Sequence, residues 1–347
     1  MTVQDVADRA GVGKATAARA LGGYGAVSPE VQRRVEAAAL ALGYRPNGLA
    51  RSMSTGRTNT IGVVVGDIEN PFFGLAVRGI SDVARQRGFD VVLSNTGEQV
   101  EVEQSAVRTL LDRRVDGLIV SAANSAVTAH LSDILAMNRP LVLLDRLVPA
   151  VVADAVVVDN FDAARTATAH LLEAGHRRIA FISSSRPRDD EQELIVSEIT
   201  TSTVRDRLTA FIGALDAAGV REPASLVRLG ATGYLTTRQI VANLLALPDV
   251  PTAIVASDSV VALNVLRSLR DLGVDVPGRV SLIMFDDADW ATVTSPPLTV
   301  IAQPIYDLGS EAARRLLDRL DGRTATAPTS TFTARLIPRG SVARVVG

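Results

Sequence analysis

Polar side chains follow the apolar runs of this chain with a regularity that suggests a binding cleft. Asp67 stands after residues 61–65, Asn95 after 91–93, Ser121 after 118–120 and Asp145 after 141–144. Ser183 follows 179–182, Ser257-Asp258 follow 253–256, and Asp286-Asp287 follow 282–285. In open α/β sheets, ligands sit outside the carboxyl ends of the strands near topological switch points, so two such sheets facing each other would enclose a polar cleft. That chemistry is hydrogen bonding and charge. No G-x-G-x-x-G, P-loop, G-x-S-x-G or H-E-x-x-H pattern occurs, which speaks against an enzyme. His130, His170 and His176 lack further ligands at metal spacing and read as structural hydrogen-bonding groups. A second group, Lys14, Thr16 and Arg19, sits near the start of the chain on what reads as one helix.

The elements that would hold these groups are legible. Val3, Val6, Ala7 and Ala10 repeat at helical spacing, with Thr2 and Asp5 placed as a capping box. Gly11 suits the left-handed residue of a tight turn, after which Lys14 to Leu21 resume the pattern with Ala17, Ala20 and Leu21 inward. Ser28 caps a third helix that has Pro29 at its first position and Val31, Val35, Ala38 and Leu42 as its apolar stripe. Helix, Gly turn, helix is a DNA-reading device when its second helix offers polar groups near its amino end, as Lys14, Thr16 and Arg19 do. After a polar linker, 54–60, short apolar runs alternate with helix-length segments at 75–87, 102–113, 163–173, 204–218, 236–247 and 260–272. This βα rhythm, continued through about eleven strands, predicts two doubly wound parallel sheets.

The 347 residues allow two or three domains. There is no cysteine, so thiol chemistry and disulfides are excluded. No apolar stretch approaches the ~20 residues of a membrane helix, and no basic region precedes one. A cytoplasmic, nucleoid-associated protein is expected. The net charge of −2 conceals an asymmetry: residues 1–58 carry eight basic and four acidic side chains, a net +4, which leaves −6 for the rest. A basic end on an acidic body is suited to phosphate attraction, though an ordinary solvated helical surface would look the same. Lys14 is the only lysine, a bias of coding composition rather than of mechanism.

The segment from Thr2 through Ala10-Gly11-Val12, Thr16, Arg19 and Leu21, with Val27-Ser28, Gly43-Tyr44-Arg45-Pro46-Asn47 and Ala50-Arg51-Ser52, resembles the head of the lactose-repressor (LacI/GalR) family of bacterial transcription regulators. Asn70-Pro71-Phe72-Phe73, Asp159-Asn160, Gly175-His176, Phe285-Asp286-Asp287 and Gln303-Pro304 extend the resemblance through the body. It implies a small all-α helix-turn-helix head at 1–45, a hinge helix and linker at 46–59, and a two-lobed, periplasmic-binding-protein-like α/β body at 60–347. The first lobe would hold 60–159 and 290–320, the second 160–289 and 321–347. DNA contacts would fall on Lys14, Ala15, Thr16, Arg19, Ser28, Asn47, Arg51 and Met53, the last as a wedge between minor-groove base steps where the family usually has Leu. Effector contacts would fall on Phe72, Phe73, Asp145, Phe161, Arg207, Ser257, Asp286 and Gln303. Carboxylates and a guanidinium fork clamp hydroxyls while aromatic faces cover a ring, which suits a carbohydrate or a derivative. The implied protein is a homodimeric repressor on a palindromic operator of double-stranded DNA, with no cofactor and no membrane partner.

Each residue also has a structural reading. Asp258, and Asp159 with Asn160, precede helices and read as N-caps; Phe72 and Phe73 could be core, although Asn70-Pro71 argues for a loop; Arg207 could form a surface ion pair; Asp287 reads as solvent-exposed or a cap. Gly13, Ala18 and Gly22 stand where the family more often has Ser, Ser and Asn, so phosphate and capping groups are fewer. Residues 185–203 are longer and more acidic than the family's usual connection and read as a mobile surface loop or a flap over the cleft. The rival reading, a solute-binding protein of a transport system, would share the body but has no use for the head.

Overall fold

The computed structural model describes residues 1–22, 25–44, 57–185, 194–323 and 328–345. Asn47, Arg51 and Met53, and residues 186–193 of the long connection, lie outside them.

The head is a compact unit of its own, built from α1 (Val3–Ala10), α2 (Lys14–Gly22) and α3 (Pro29–Ala41). The capping box forms: Thr2 N–H donates to Asp5 Oδ2 at 2.7 Å and Asp5 N–H donates to Thr2 Oγ1 at 3.3 Å. Gly11 ends α1 at φ 63°, where a residue without Cβ is least strained. Val6, Ala7, Ala17 and Val35 are wholly buried and form the centre of the three-helix core. Arg34 on α3 ties the helices by donating to the carbonyls of Ala10 and Gly11.

The body begins with β1 (Thr60–Val65), α4 (Pro71–Gln86), β2 (Asp90–Asn95), α5 (Val100–Asp112), β3 (Gly117–Val120), α6 (Ala129–Ala136), β4 (Leu141–Leu144) and β5 (Asp154–Val158). It continues with α7 (Asn160–Glu173), β6 (Ile179–Ile182), α8 (Ser202–Ala217), β7 (Val227–Arg228), α9 (Tyr234–Leu245), β8 (Ala253–Ala256), α10 (Ser259–Asp271), β9 (Ser281–Phe285) and β10 (Thr299–Ala302). It ends with α11 (Ile305–Leu320), β11 (Thr329–Phe332) and β12 (Arg335–Ile337). The strands form two six-stranded sheets with matching orders, β2-β1-β3-β4-β5-β11 and β7-β6-β8-β9-β10-β12. Each is doubly wound, with its order reversing beside the first strand, the place where ligands bind in such sheets. Buried apolar side chains on the central strands, such as Ile119, Val142, Ile254 and Met284, explain why the runs lack alternation.

The chain crosses between the lobes three times: between β5 and α7, between β10 and α11, and between β11 and β12. This corrects the expected lobe boundaries. Thr299–Ala302 pairs in parallel with β9 and so belongs to the second lobe, while Thr329–Phe332 pairs with β5 in the first. Residues 329–337 therefore hold two strands in different sheets, and local periodicity cannot reveal which distant strand each one meets. Helix starts also move. Asn70 Oδ1 accepts from Phe72 N at 3.0 Å and Pro71 occupies the first helical position, so Phe72 and Phe73 sit in the first turn of α4 and not in a loop.

In the first lobe α4 and α11 pack backbone to backbone. A Cβ on Gly309 would stand 2.0 Å from the Ala76 carbonyl oxygen, and one on Gly79 would stand 2.2 Å from that of Tyr306. Only glycine permits this approach.

Candidate functional site: a polar cleft in the body and the outer face of the head

The strand ends of the two sheets line a cleft of about 480 Å³. Asp145 after β4 and Asp286 after β9 occupy equivalent places in their sheets. Both are left-handed, with φ 67° and 72°. Each N–H donates to the next strand, Asp145 to Val156 O at 2.8 Å and Asp286 to Ile301 O at 2.9 Å. Aspartate is among the few residues other than glycine that tolerate this conformation. The same backbone device thus aims a carboxylate into the cleft from each lobe.

Both carboxylates are buried. Burial raises the pKa of Asp286 to about 6, against the nearby Arg207 charge and the hydrogen bond from Gln303. Burial likewise raises Asp145, opposed by Arg146 and Arg207. Gln303 Nε2 donates to Asp286 Oδ1 at 2.6 Å. Gln303 Oε1 and Asp145 Oδ1 are buried acceptors with no hydrogen-bond partner among the described residues. Orphaned buried acceptors cost about 1–3 kcal/mol each, and a ligand that donates to them would recover that.

Two buried arginines face these acids. Arg207, on α8, donates from Nε to Asn160 Oδ1 at 2.8 Å and from Nη1 to the Ser257 carbonyl at 2.5 Å, and its guanidinium lies 3.9 Å over the centre of the Phe285 ring. Burial lowers its pKa, while Asp286 and Asp145 act in the other direction. Arg146 forms a two-pronged pair with Glu98, at 2.6 and 2.8 Å, and also donates to the Ala122 carbonyl at 3.0 Å. Burial works against the charge on Glu98, but Arg146 outweighs it and holds that carboxyl below its ordinary value. Gly66 makes room for this pair, since a Cβ there would meet Glu98 Oε1 at 2.0 Å. Phe72 and Phe73, edge to face at 5.2 Å, supply the apolar wall.

One rim of the cleft is bridged from lobe to lobe. Ser125, in the loop after β3, donates to Thr200 O from N at 3.1 Å and from Oγ at 2.6 Å. Leu147 N–H, after β4, donates to Ser202 Oγ at 2.9 Å. Thr200, Thr201 and Thr203 line the cleft. The described end of the long connection therefore belongs to the cleft wall, and α8 starts at Ser202.

Of the expected effector residues, Phe72, Phe73, Asp145, Arg207, Ser257, Asp286 and Gln303 line the cleft together. Phe161 does not: it is 49% exposed and absent from the lining. The Asp159 cap, accepting from Asp162 N at 2.9 Å, sets the phase of α7 so that Asn160 turns inward to Arg207 and Phe161, about 100° round the helix, turns out. Arg207 is no surface ion pair. Asp258 is an N-cap, accepting from Val260 N and Val261 N, and also faces the cleft. Asp287 pairs with Arg339 at 2.7 Å. Glu98 and Arg146 were not anticipated as cleft residues, nor Asn160 as the partner that positions Arg207. Arg146 was signalled only by its place next to Asp145.

On the head, Lys14, Ala15 and Arg19 are exposed on one face of α2 and Thr16 is half-buried. Arg19 folds along its own helix, donating to Ala15 O at 3.3 Å and to Thr16 Oγ1 at 3.5 Å. Exposed Ser28 caps α3 through Val31 N at 3.4 Å. Among the described residues no helix is long and apolar enough to cross a membrane, and no cluster of His, Asp and Glu could hold a metal.

Residues 2–47 match the bacterial regulatory proteins of the lacI family, and residues 168–342 match the periplasmic binding protein-like domain. The HTH-type transcriptional regulator GalS of Salmonella typhimurium is 32% identical over 343 residues, which covers 99% of this chain and 97% of that protein. Among solved structures, the lac repressor dimer bound to operator and the anti-inducer ONPF superposes with a TM-score of 0.82 at 26% identity, covering 99% of both chains. The complex of the transcriptional regulator CelR with cellobiose superposes with a TM-score of 0.71 at 30% identity, covering 98% of this chain and 99% of that one.

Proposed function

Because this chain belongs to the lacI family of bacterial regulatory proteins, we propose that it is a homodimeric repressor whose affinity for operator DNA is set by a small polyhydroxylated effector in the body cleft. The observation that carries the effector half is the meeting in one cavity of two buried acceptors without a partner among the described residues, Asp145 Oδ1 after β4 and Gln303 Oε1 at the crossing from β10 to α11. A ligand reaching both favours one degree of lobe closure and so shifts the population of DNA-competent dimers. Twofold symmetry makes the operator a palindrome. The relatives are regulators, and the cleft is lined by charged and hydrogen-bonding groups suited to holding a ligand, which supports the binding reading. The protein acts at the nucleoid in the cytoplasm. The transport alternative leaves the head without a role.

The test is selection of palindromic DNA from a random pool, followed by fluorescence anisotropy with and without a sugar panel. A selected palindrome whose affinity changes with one sugar supports the reading; failure to enrich any sequence removes it. Lys14→Ala and Arg19→Ala are each expected to weaken operator binding by about tenfold or more, since a base or phosphate contact contributes ~1–3 kcal/mol. Lys14→Ala should also flatten the salt dependence if it contacts phosphate.

The bridged rim carries its own expectation. Ser125→Ala with Ser202→Ala removes two interlobe hydrogen bonds of about 1 kcal/mol each. Effector affinity is expected to fall by roughly tenfold while ligand-free operator binding persists. Unchanged effector affinity in an isothermal titration would show that these bonds play no part in closure.

A further inference from the structure

Charge in the cleft is lopsided. Asp67, Glu98, Asp145, Asp258 and Asp286 line it, against Arg146 and Arg207. Neither arginine is idle. Arg146 commits its terminal nitrogens to Glu98 and the Ala122 carbonyl, and Arg207 commits Nε and Nη1 to Asn160 and the Ser257 carbonyl. An anion needs guanidinium donors that are free as a fork; each fork here has a nitrogen committed to the protein, and Arg146 Nε, a buried donor without a hydrogen bond among the described residues, lies 3.8 Å from Asp145 Oδ2. The buried side-chain atoms left over on the two facing aspartate and glutamine residues, Asp145 Oδ1 and Gln303 Oε1, are acceptors. They call for O–H or N–H donors.

From this arrangement we infer that the cleft rejects anionic sugars and takes a polyhydroxylated ligand that is neutral or carries an amine, with Asp145 as the residue that sets the charge preference. The inference rests on the effector reading above and narrows it. A carboxylate or phosphate on the ligand would meet the buried Asp145 and Asp286, beside which like charges repel more than in bulk solvent. A hydroxyl or ammonium would give Asp145 Oδ1 a donor, which it lacks among the described residues. Asp258 contributes less to the discrimination because its oxygens already accept from Ser257 Oγ and two helix N–H groups.

The experiment is a thermal-shift and calorimetric series on the full chain. Its probes are pentoses, hexoses and disaccharides, each offered as the parent sugar, the amino sugar, the uronic or aldonic acid, and the phosphate. Binding is expected from a parent sugar or its amine, with the acid and phosphate of the same sugar at least 100-fold weaker. Asp145→Asn, which keeps the size and the left-handed conformation, should narrow that gap at least tenfold. An acid or phosphate that binds as tightly as its parent overturns the inference and leaves the effector reading intact. An unchanged gap in both Asp145→Asn and Asp286→Asn overturns the assignment to these carboxylates. Silence from every probe removes the sugar-like effector reading, and this inference with it.

Discussion

Asp286→Asn is expected to make the ligand-free protein more stable at neutral pH while weakening its effector by at least tenfold. The carboxyl is buried and its pKa is raised from 3.8 to about 6. A carboxyl with a raised folded-state value binds more protons folded than unfolded between these two values, so its contribution to stability declines as pH climbs from about 4 to about 6. Below that window acid and amide behave alike. Above it the native carboxylate costs about 3 kcal/mol, the equivalent of a shift of roughly two units at 1.36 kcal/mol each. Asparagine avoids the cost, tolerates the left-handed conformation at φ 72° and still offers an oxygen to Gln303 Nε2. The melting temperature should therefore exceed that of the parent by several degrees at pH 7.5, with the difference vanishing near pH 4. A variant less stable than the parent at pH 7.5 would mean that the attraction of the nearby Arg207 charge for Asp286 outweighs its burial.

The largest loss of stability is expected from Gly309→Ala. Its methyl group would stand 2.0 Å from the Ala76 carbonyl oxygen, a backbone atom that cannot rotate aside. The two helices must separate, which opens the first-lobe core around Ala76, Ile80, Leu308 and Ala312. Overpacking of this kind costs ~1–3 kcal/mol, and contact with backbone places this case at the upper end. Gly213→Ala on α8 is the control: nothing lies within 4 Å of its Cβ position, so the substitution should be neutral or stabilising by up to ~1 kcal/mol. Urea denaturation of the two variants should separate them by at least 2 kcal/mol. Equal midpoints would show that α4 and α11 are not in backbone contact in solution.

The fold was legible where the physics is local. Thr2, Asp5, Gly11, Ser28 and Pro29 mark the ends of the head helices because caps and left-handed turns are decided within four residues. The central strands showed as apolar runs because both their faces are covered. The two-residue β7 was too short to leave a pattern, and the membership of β10 and β11 depended on pairing with distant strands. At the site, Asp145 and Asp286 stood out as acids ending apolar strands. Phe161 misled because one residue of helix phase separates a side chain that faces in from one that faces out. Glu98 and Arg146 acquire meaning only from each other, 48 residues apart in sequence, and Asn160 only from Arg207.

The three crossings between the lobes set the mechanics of the body. Each is two residues or fewer between elements, spanning Asp159, Gln303-Pro304 and Thr333-Ala334. The first and third are joined, since Asp159 N–H donates to Phe332 O at 2.9 Å. A body held by one tether could twist and slide as well as open; one held by three short tethers is left with little beyond a swing. Whatever occupies the cleft is then converted into a single coordinate, an angle. Gln303 lies on one of the pivots and also presents its unpaired oxygen to the cavity, so ligand is sensed at the axle as well as between the doors.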